Sequence, residues 1–282
     1  DTSIKKEPTK MVKKMDFGKS TTKTDNSNWK KPTKMVNSLS PKNTNHSNPN
    51  RMKIVTWNCK MKFREDSKKI LPLKPDILIV PECENFNLSD QSDSYWIGDN
   101  PSKGLGVFTF NNYKIELYKD YTDEYKYILP LVVSRQNESY HVMGIWTQKV
   151  EKRNKDHQNY IRQFQLSLNH YDSFLDHDNV IVCGDFNSNL IWKRTGVDND
   201  HQEVLDYLSD KNIHSSYHHF YKEEQGKESI PTYYHYHQKE RPFHIDFCFL
   251  SQSLMKTLHN VELGKFDEWM KLSDHVPMIV EY

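Results

Sequence analysis

The sequence predicts an α/β domain running from Met52 to Tyr282, and three patterns point to it. Apolar runs of about four to eight residues, rich in Val, Ile and Leu, recur from Lys53 to the C-terminus and read as buried strands. Between two of them, Ile161, Phe164, Leu168, Tyr171 and Leu175 recur at helical spacing, as on a helix laid against a core. Polar residues interrupt or end several of the runs, at the loop side where chemistry is usually placed.

Taken in order, strand 53–58 leads into a short helix near 64–71 and then strand 76–82. The stretch 83–103 is polar and reads as irregular; following Glu82, it borders whatever Glu82 serves. Strands are expected at about 104–110, 113–118, 127–134 and 139–147, with connections short enough for antiparallel pairing. A helix near 157–176 precedes strand 179–185, and a helix near 201–211 precedes strand 213–219. A segment dense in Tyr and His follows, Pro231-Thr232-Tyr233-Tyr234-His235-Tyr236-His237. Strands near 244–250, 260–265 and 276–281 complete the chain.

The N-terminal part has a different character. Residues 1–50 hold eleven Lys and four acids, a charge of +7, so a formal net charge of +1 leaves −6 for the rest. Residues 1–51 read as a basic, low-complexity tail too poor in large apolar side chains to offset ordering entropy. Pro8-Thr9-Lys10-Met11-Val12 recurs as Pro32-Thr33-Lys34-Met35-Val36, either a docking motif presented twice or part of a plain basic tail. Gly18-Lys19-Ser20-Thr21 is not a phosphate loop, because Lys13 stands where its first glycine is required. No apolar run reaches the roughly 18 residues of a membrane span, and no membrane insertion is expected. The four cysteines, Cys59, Cys83, Cys183 and Cys248, fall in or beside expected strands and read as small core residues. That usage fits a reducing compartment, and a cytoplasmic location is the expectation.

Chemistry enters at the strand ends. Asn58 closes the first run, and Glu82 closes Ile77-Leu78-Ile79-Val80-Pro81. Asp185 and Asn187 follow Val180-Ile181-Val182-Cys183-Gly184. Asp246 lies inside His244–Leu250, and Asp274-His275 precedes Val276–Val280. A buried carboxylate is costly unless it is paired or binds a metal. Several carboxylates without basic partners in their motifs point to a divalent cation with oxygen ligands. The competing readings are a buried ion pair with Lys or Arg for Glu82, a tight turn for Gly184–Asn187 and a hydrogen-bonded surface histidine for His275.

Together, Trp57-Asn58-Cys59, Pro81-Glu82, Gly184-Asp185-Phe186-Asn187, His244-Ile245-Asp246-Phe247-Cys248-Phe249-Leu250-Ser251 and Ser273-Asp274-His275 resemble the motifs of the endonuclease/exonuclease/phosphatase superfamily, in that family's order. The resemblance spans about Met52 to Tyr282, making 52–282 the catalytic domain. It implies the DNase I-like fold, a four-layer sandwich of two mixed β-sheets flanked by helices, and phosphoester hydrolysis with Mg²⁺ or Mn²⁺. In that scheme Glu82 is the first metal ligand, Asn58 its neutral companion, and Asp274 reaches a second metal position or a metal-bound water. Asp185 orients or deprotonates the attacking water, and Asn187 donates to a nonbridging phosphate oxygen. His275 contacts the scissile phosphate, with Asp246 fixing its tautomer.

The match departs in places. Where relatives carry a second His or a Tyr on the strand Val142–Thr147, this chain has Trp146, which donates but shuttles no proton. Pro81 and Asn58-Cys59-Lys60 do not match abasic-site endonucleases, and Pro242–Asp246 does not match phosphoinositide phosphatases. The leading expectation is a nuclease acting on nucleic acid, specifically a DNA endonuclease, with Lys103, Trp146, Lys149 and Arg153 as substrate contacts. The alternatives are an abasic-site endonuclease or an exonuclease, a phosphatase or phosphodiesterase on a small molecule or lipid headgroup, and an inactive binding module. The presence of Glu82, Asp185 and His275 argues against the last.

Overall fold

A computed structural model describes residues 51–88, 92–149, 160–192 and 200–282. The expected tail up to residue 50 lies outside the described residues, as does Arg153. In chain order the elements are β1 (Lys53–Thr56), α1 (Phe63–Ile70), β2 (Ile77–Cys83), β3 (Asp93–Asn100), β4 (Lys103–Thr109), β5 (Lys114–Leu117), β6 (Ile128–Arg135) and β7 (Glu138–Trp146). There follow α2 (Ile161–Ser167), α3 (Asp172–Leu175), β8 (Val180–Asp185), α4 (Asp200–Asp210), β9 (Ile213–Ser215) and α5 (Ser216–Tyr221). The last are β10 (Tyr233–Tyr234), β11 (Pro242–Phe243), β12 (Asp246–Ser251), α6 (Gln252–Met255), β13 (Asn260–Leu263), α7 (Phe266–Trp269) and β14 (Met278–Glu281).

The strands form two six-stranded sheets and a separate hairpin, β10–β11. The first sheet has the order β13-β14-β1-β2-β4-β3, the second β5-β6-β7-β8-β12-β9. Each is mixed, with one parallel pair at its centre: β1 with β2, and β7 with β8. Alternation along the strands builds the layers. In β8, Ile181 and Cys183 face the other sheet, whereas Val180 and Val182 pack under α2, α3 and α4. In β1, Ile54 faces the other sheet, whereas Val55 and Trp57 pack under α1 and α7. The result is the expected four-layer α/β sandwich, with its widest core between the sheets.

Three stretches differ from the sequence expectation. Residues 93–100 are not irregular but form β3, an edge strand that pairs only with β4. An edge strand needs few apolar residues, and its Trp96 lies where side chains at Gly98 and Gly104 would collide with the indole. The expected helix near 157–176 breaks after Ser167, beside Asn169, and resumes at Asp172. Its apolar face is nonetheless buried as expected. The expected strand 213–219 stops at Ser215; the chain then turns into α5, whose Ser216 Oγ donates to the Cys248 carbonyl at 2.8 Å.

Gly184 is where the backbone tolerates least. It sits opposite Ile145 in the parallel β7–β8 register with φ of 145°, and a Cβ there would lie 1.9 Å from the Ile145 carbonyl oxygen. Relief would require separating β7 from β8 one residue before Asp185. Gly184→Ala is therefore expected to cost more than about 3 kcal/mol, combining an unfavourable φ with a backbone clash. Urea denaturation measures it; a cost under about 1 kcal/mol would show that the strands part freely.

Candidate active site

The antiparallel β8–β12 ladder sets Asp185 directly opposite Asp246. Phe186 N donates to Ile245 O at 2.9 Å, so the adjacent Asp185–Asp246 pair is a non-hydrogen-bonded one, whose side chains approach most closely. Both carboxylates are buried and face the layer between the sheets, as Cys183 and Cys248 do. Like charges directly opposite one another destabilise a sheet, so this pair needs compensation.

His275 supplies much of it. Its Nδ1 lies 2.9 Å from Asp246 Oδ2 and its Nε2 4.0 Å from Asp185 Oδ2, so the structure joins Asp246 and His275. Burial alone would lower the imidazole pKa, but the charge of Asp246, its hydrogen bond, and then Asp185 and Asp274 push it up to about 10. The His275 backbone is held as well. His275 N donates to Ser273 Oγ at 3.1 Å, and Ser273 Oγ donates to Asn58 O at 2.7 Å. Trp57 Nε1 donates to His275 O at 3.1 Å, and the Tyr233 ring lies 4.7 Å from the imidazole. The Thr232 hydroxyl accepts from both Ile245 N and Asp246 N at 3.0 Å, tying the Tyr/His segment to β12.

Asp185 is compensated by amides. Asn58 Nδ2 and Asn187 Nδ2 each donate to Asp185 Oδ2 at 2.9 Å, and Asn187 N donates to Oδ1 at 2.8 Å. Burial, then the Asp246 charge, raises its pKa to about 7 against the opposing pull of His275 and these donors. The Asn187 amide also donates to Thr147 O at 2.8 Å, so both of its hydrogens point inward. Asn187 thus positions Asp185.

The expected metal ligands lie on the first sheet. By strict alternation Glu82 would follow Leu78 and Val80 to the helix side. A β-bulge between Pro81 and Cys83, with Glu82 at φ 56°, turns it out of that pattern. Met61 N donates to Glu82 O at 2.9 Å, laying the loop after Asn58 alongside. Glu82, Asp185 and Asp274 all act on the Tyr233 phenol, whose pKa burial and these charges push up to about 12. All three therefore lie within electrostatic range of one phenol. The donor set fits a hard divalent cation, because Glu82, Asn58 and Asp274 offer only oxygens. The Glu82 carboxylate makes no hydrogen bond among the described residues, and its ion pair with Lys103 Nζ is loose at 3.7 Å. Asp274 is engaged by Lys60 Nζ at 3.3 Å, and that amine also lies 2.8 Å from His237 Nε2. Among the described residues, the His, Cys, Asp and Glu ligand atoms that lie close enough together to hold an ion are those of Asp185, Asp246 and His275. An ion there would compete with the 2.9 Å Asp246–His275 contact.

Of the expected substrate contacts, Lys149 is exposed just beyond β7. Lys103 Nζ lies 5.0 Å over the Trp146 ring. Trp146 itself is 1% exposed and packs on Tyr127, which corrects its reading as a substrate contact: it is a wall beneath Lys103. Thr232, Tyr233 and Ser273 were missed as site residues; only the Tyr/His-rich segment and the Ser before Asp274 hinted at them.

No protein-family model matches the sequence, and no curated protein does. Solved structures do match. The endonuclease domain of TRAS1, a telomere-specific non-LTR retrotransposon, is 12% identical with a TM-score of 0.59, covering 82% of this chain and 97% of that one. The 3'-5' exonuclease NExo from Neisseria meningitidis is 16% identical with a TM-score of 0.61, covering 82% and 99%. An AP endonuclease from Archaeoglobus fulgidus is 15% identical with a TM-score of 0.62, covering 81% and 98%. The chain has the DNase I-like fold of the endonuclease/exonuclease/phosphatase proteins.

The histidine offers a direct check. A raised folded pKa means its contribution to stability is full below about pH 6.5, the ordinary value, and is lost as pH rises toward about 10. In an NMR titration the His275 ring should stay protonated well above pH 8, and Asp246→Asn should bring its titration down by at least one unit. Titration near 6.5 in both proteins would show that the carboxylate does not hold the imidazolium.

Proposed function

We propose that this protein is a divalent-cation-dependent phosphodiesterase that cleaves nucleic acid, with DNA as the first substrate to test. The observation that carries the reading is the joint placement of Asp185, Asp246 and His275, whose ligand atoms lie within 4.8 Å of one another. The matched structures named as nucleases support it.

Each side chain has work its geometry suits. Glu82, with Asn58 and Asp274, would hold Mg²⁺ or Mn²⁺, which supplies charge neutralisation at the phosphate oxygens. Asp185 receives the proton of the attacking water as the water oxygen bonds to phosphorus. Its raised pKa makes it a stronger base than an ordinary carboxylate. Asn58 and Asn187 fix the direction of its lone pairs. His275, protonated and anchored by Asp246, presents Nε2 toward the same space and gives its proton to the oxygen released as the phosphorus–oxygen bond breaks. Lys60 and Lys103 flank the space with positive charge for the strand.

Two experiments test this. Purified protein should cleave plasmid or oligonucleotide DNA with Mg²⁺ or Mn²⁺ and lose that activity in EDTA. Glu82→Gln should lower turnover at least about a hundredfold while circular dichroism stays native. Near-normal activity in that variant would remove Glu82 from the cation site. Separately, His275→Ala and Asp246→Asn should each be slow and the double variant scarcely slower than the worse single, because residues acting as a unit are non-additive. Multiplying losses in kcat/KM would mean that the two side chains act independently.

A further inference from the structure

The floor of the site is polar, but its rim is not. Among the described residues the exposed large apolar side chains are Met61, Tyr160, Ile191, Trp192, Phe220 and Tyr236. All except Phe220 stand on loops or on the hairpin around the site: after Asn58, after Trp146, after Asn187, and at the tip of β10–β11. Single exposed apolar residues need no explanation, but their concentration around one mouth does.

Two of them rest on built supports. Trp192 is 45% exposed and its ring lies 5.2 Å from Phe243. Phe243 stacks on Tyr233 at 6.3 Å and 28°, and Tyr233 lies 4.7 Å from His275. A run of rings therefore leads from solvent to the catalytic imidazole, with Ile191 exposed beside its outer end. On the hairpin tip, Tyr236 is 67% exposed against His235 at 4.0 Å. The neighbouring His237 holds the Lys60 amine at 2.8 Å. At the hairpin tip an exposed ring thus stands close to a cation.

Paired duplex offers such a rim little, since its outer surface is sugar and phosphate and its base faces are hidden. Unpaired nucleotides expose a flat face at every step and a phosphate between steps, the pattern that aromatic rings interleaved with amines recognise. A lipid surface also suits an apolar rim, but it needs no ring stacked on ring and no amine held by a histidine between them.

We propose that the rim is a base-stacking platform, and that the strand delivered to the site is single-stranded or locally unpaired, with one base on Trp192 and another on Tyr236. This deepens the nuclease reading and rests on it for the identity of the ligand. Binding without turnover tests it. In EDTA, with the full chain, dissociation constants are measured by fluorescence anisotropy for a labelled oligonucleotide, its duplex, and a strand of equal length made of abasic residues. Vesicles of phosphatidylcholine and phosphatidylserine form the last arm. Wild-type protein should bind the single strand more tightly than the duplex. Trp192→Ala should weaken single-strand binding about tenfold, leave the abasic strand unaffected, and be largely rescued by Trp192→Phe. Equal or tighter duplex binding, an equal loss on the abasic strand, or a loss confined to vesicles would overturn the proposal. Cleavage without this base dependence defeats the platform alone; base-dependent binding without any cleavage defeats only the nuclease reading.

Discussion

Two carboxylates forced face to face at the end of one sheet are the constraint on which the site depends. The β8–β12 register leaves Asp185 and Asp246 no alternative, because both strands are fixed by apolar side chains below them. Slipping either strand by one residue would send its carboxylate into the helix-side core. The repulsion is therefore met by the surroundings. His275 brings a positive charge between the two acids, and three N–H donors from Asn58 and Asn187 converge on Asp185. Burial, and then what remains uncompensated of the Asp246 charge, raises the Asp185 pKa to about 7. The property that would suit Asp185 to the proposed role of base is thus a by-product of its burial and of strand pairing.

The other half of the site comes from the first sheet, and it is placed by an irregularity. The bulge at Glu82 turns a side chain that alternation would assign to the helix layer. On the facing sheet the comparable device is Gly184, which lets β7 and β8 close up just before Asp185. Both devices lie within one residue of a proposed functional carboxylate. Backbone departures occur away from the site too, as at the register shift between Ile97 and Asn100 in β3, but those at Glu82 and Gly184 stand beside its carboxylates.

This explains which residues were legible in the sequence. Asn58 and Asp185 end apolar runs and Asp246 interrupts one, which made them legible; the structure adds that Asp185 and Asp246 stand opposite one another on the inward face of their strands. Glu82 was legible only as the end of an apolar run, since its parity points the wrong way without the bulge. Trp146 misled because its position at a strand end resembles that of its neighbours, whereas an indole there is large enough to seal the core and be buried itself. Thr232 and Ser273 gave no periodic signal. Their roles are hydrogen bonds across 13 and 14 residues for Thr232 and 215 residues for Ser273, which no local pattern encodes. The strand β3 escaped notice for a related reason, since a half-exposed edge needs little apolar sequence.

The two sheets divide the chemistry between them. The first carries Asn58, Glu82 and the strand that follows His275; the second carries both opposed carboxylates. Among the described residues, polar contacts join the halves at the mouth from Asn58 to Asp185 and from His275 to Asp246. Each joins a residue on or beside one sheet to a carboxylate on the other, so each reports the spacing between sheets directly. That spacing is set by the apolar layer beneath, where Ile54, Ile79, Val142 and Cys183 are fully or almost fully buried. A close-packed interior transmits strain, so a change of side-chain volume in this layer would alter the distance between Asn58 and Glu82 on one sheet and Asp185 and Asp246 on the other without touching either pair. On the proposed reading the core is therefore part of the site's geometry, and the sandwich is the means of holding two half-sites at a fixed separation.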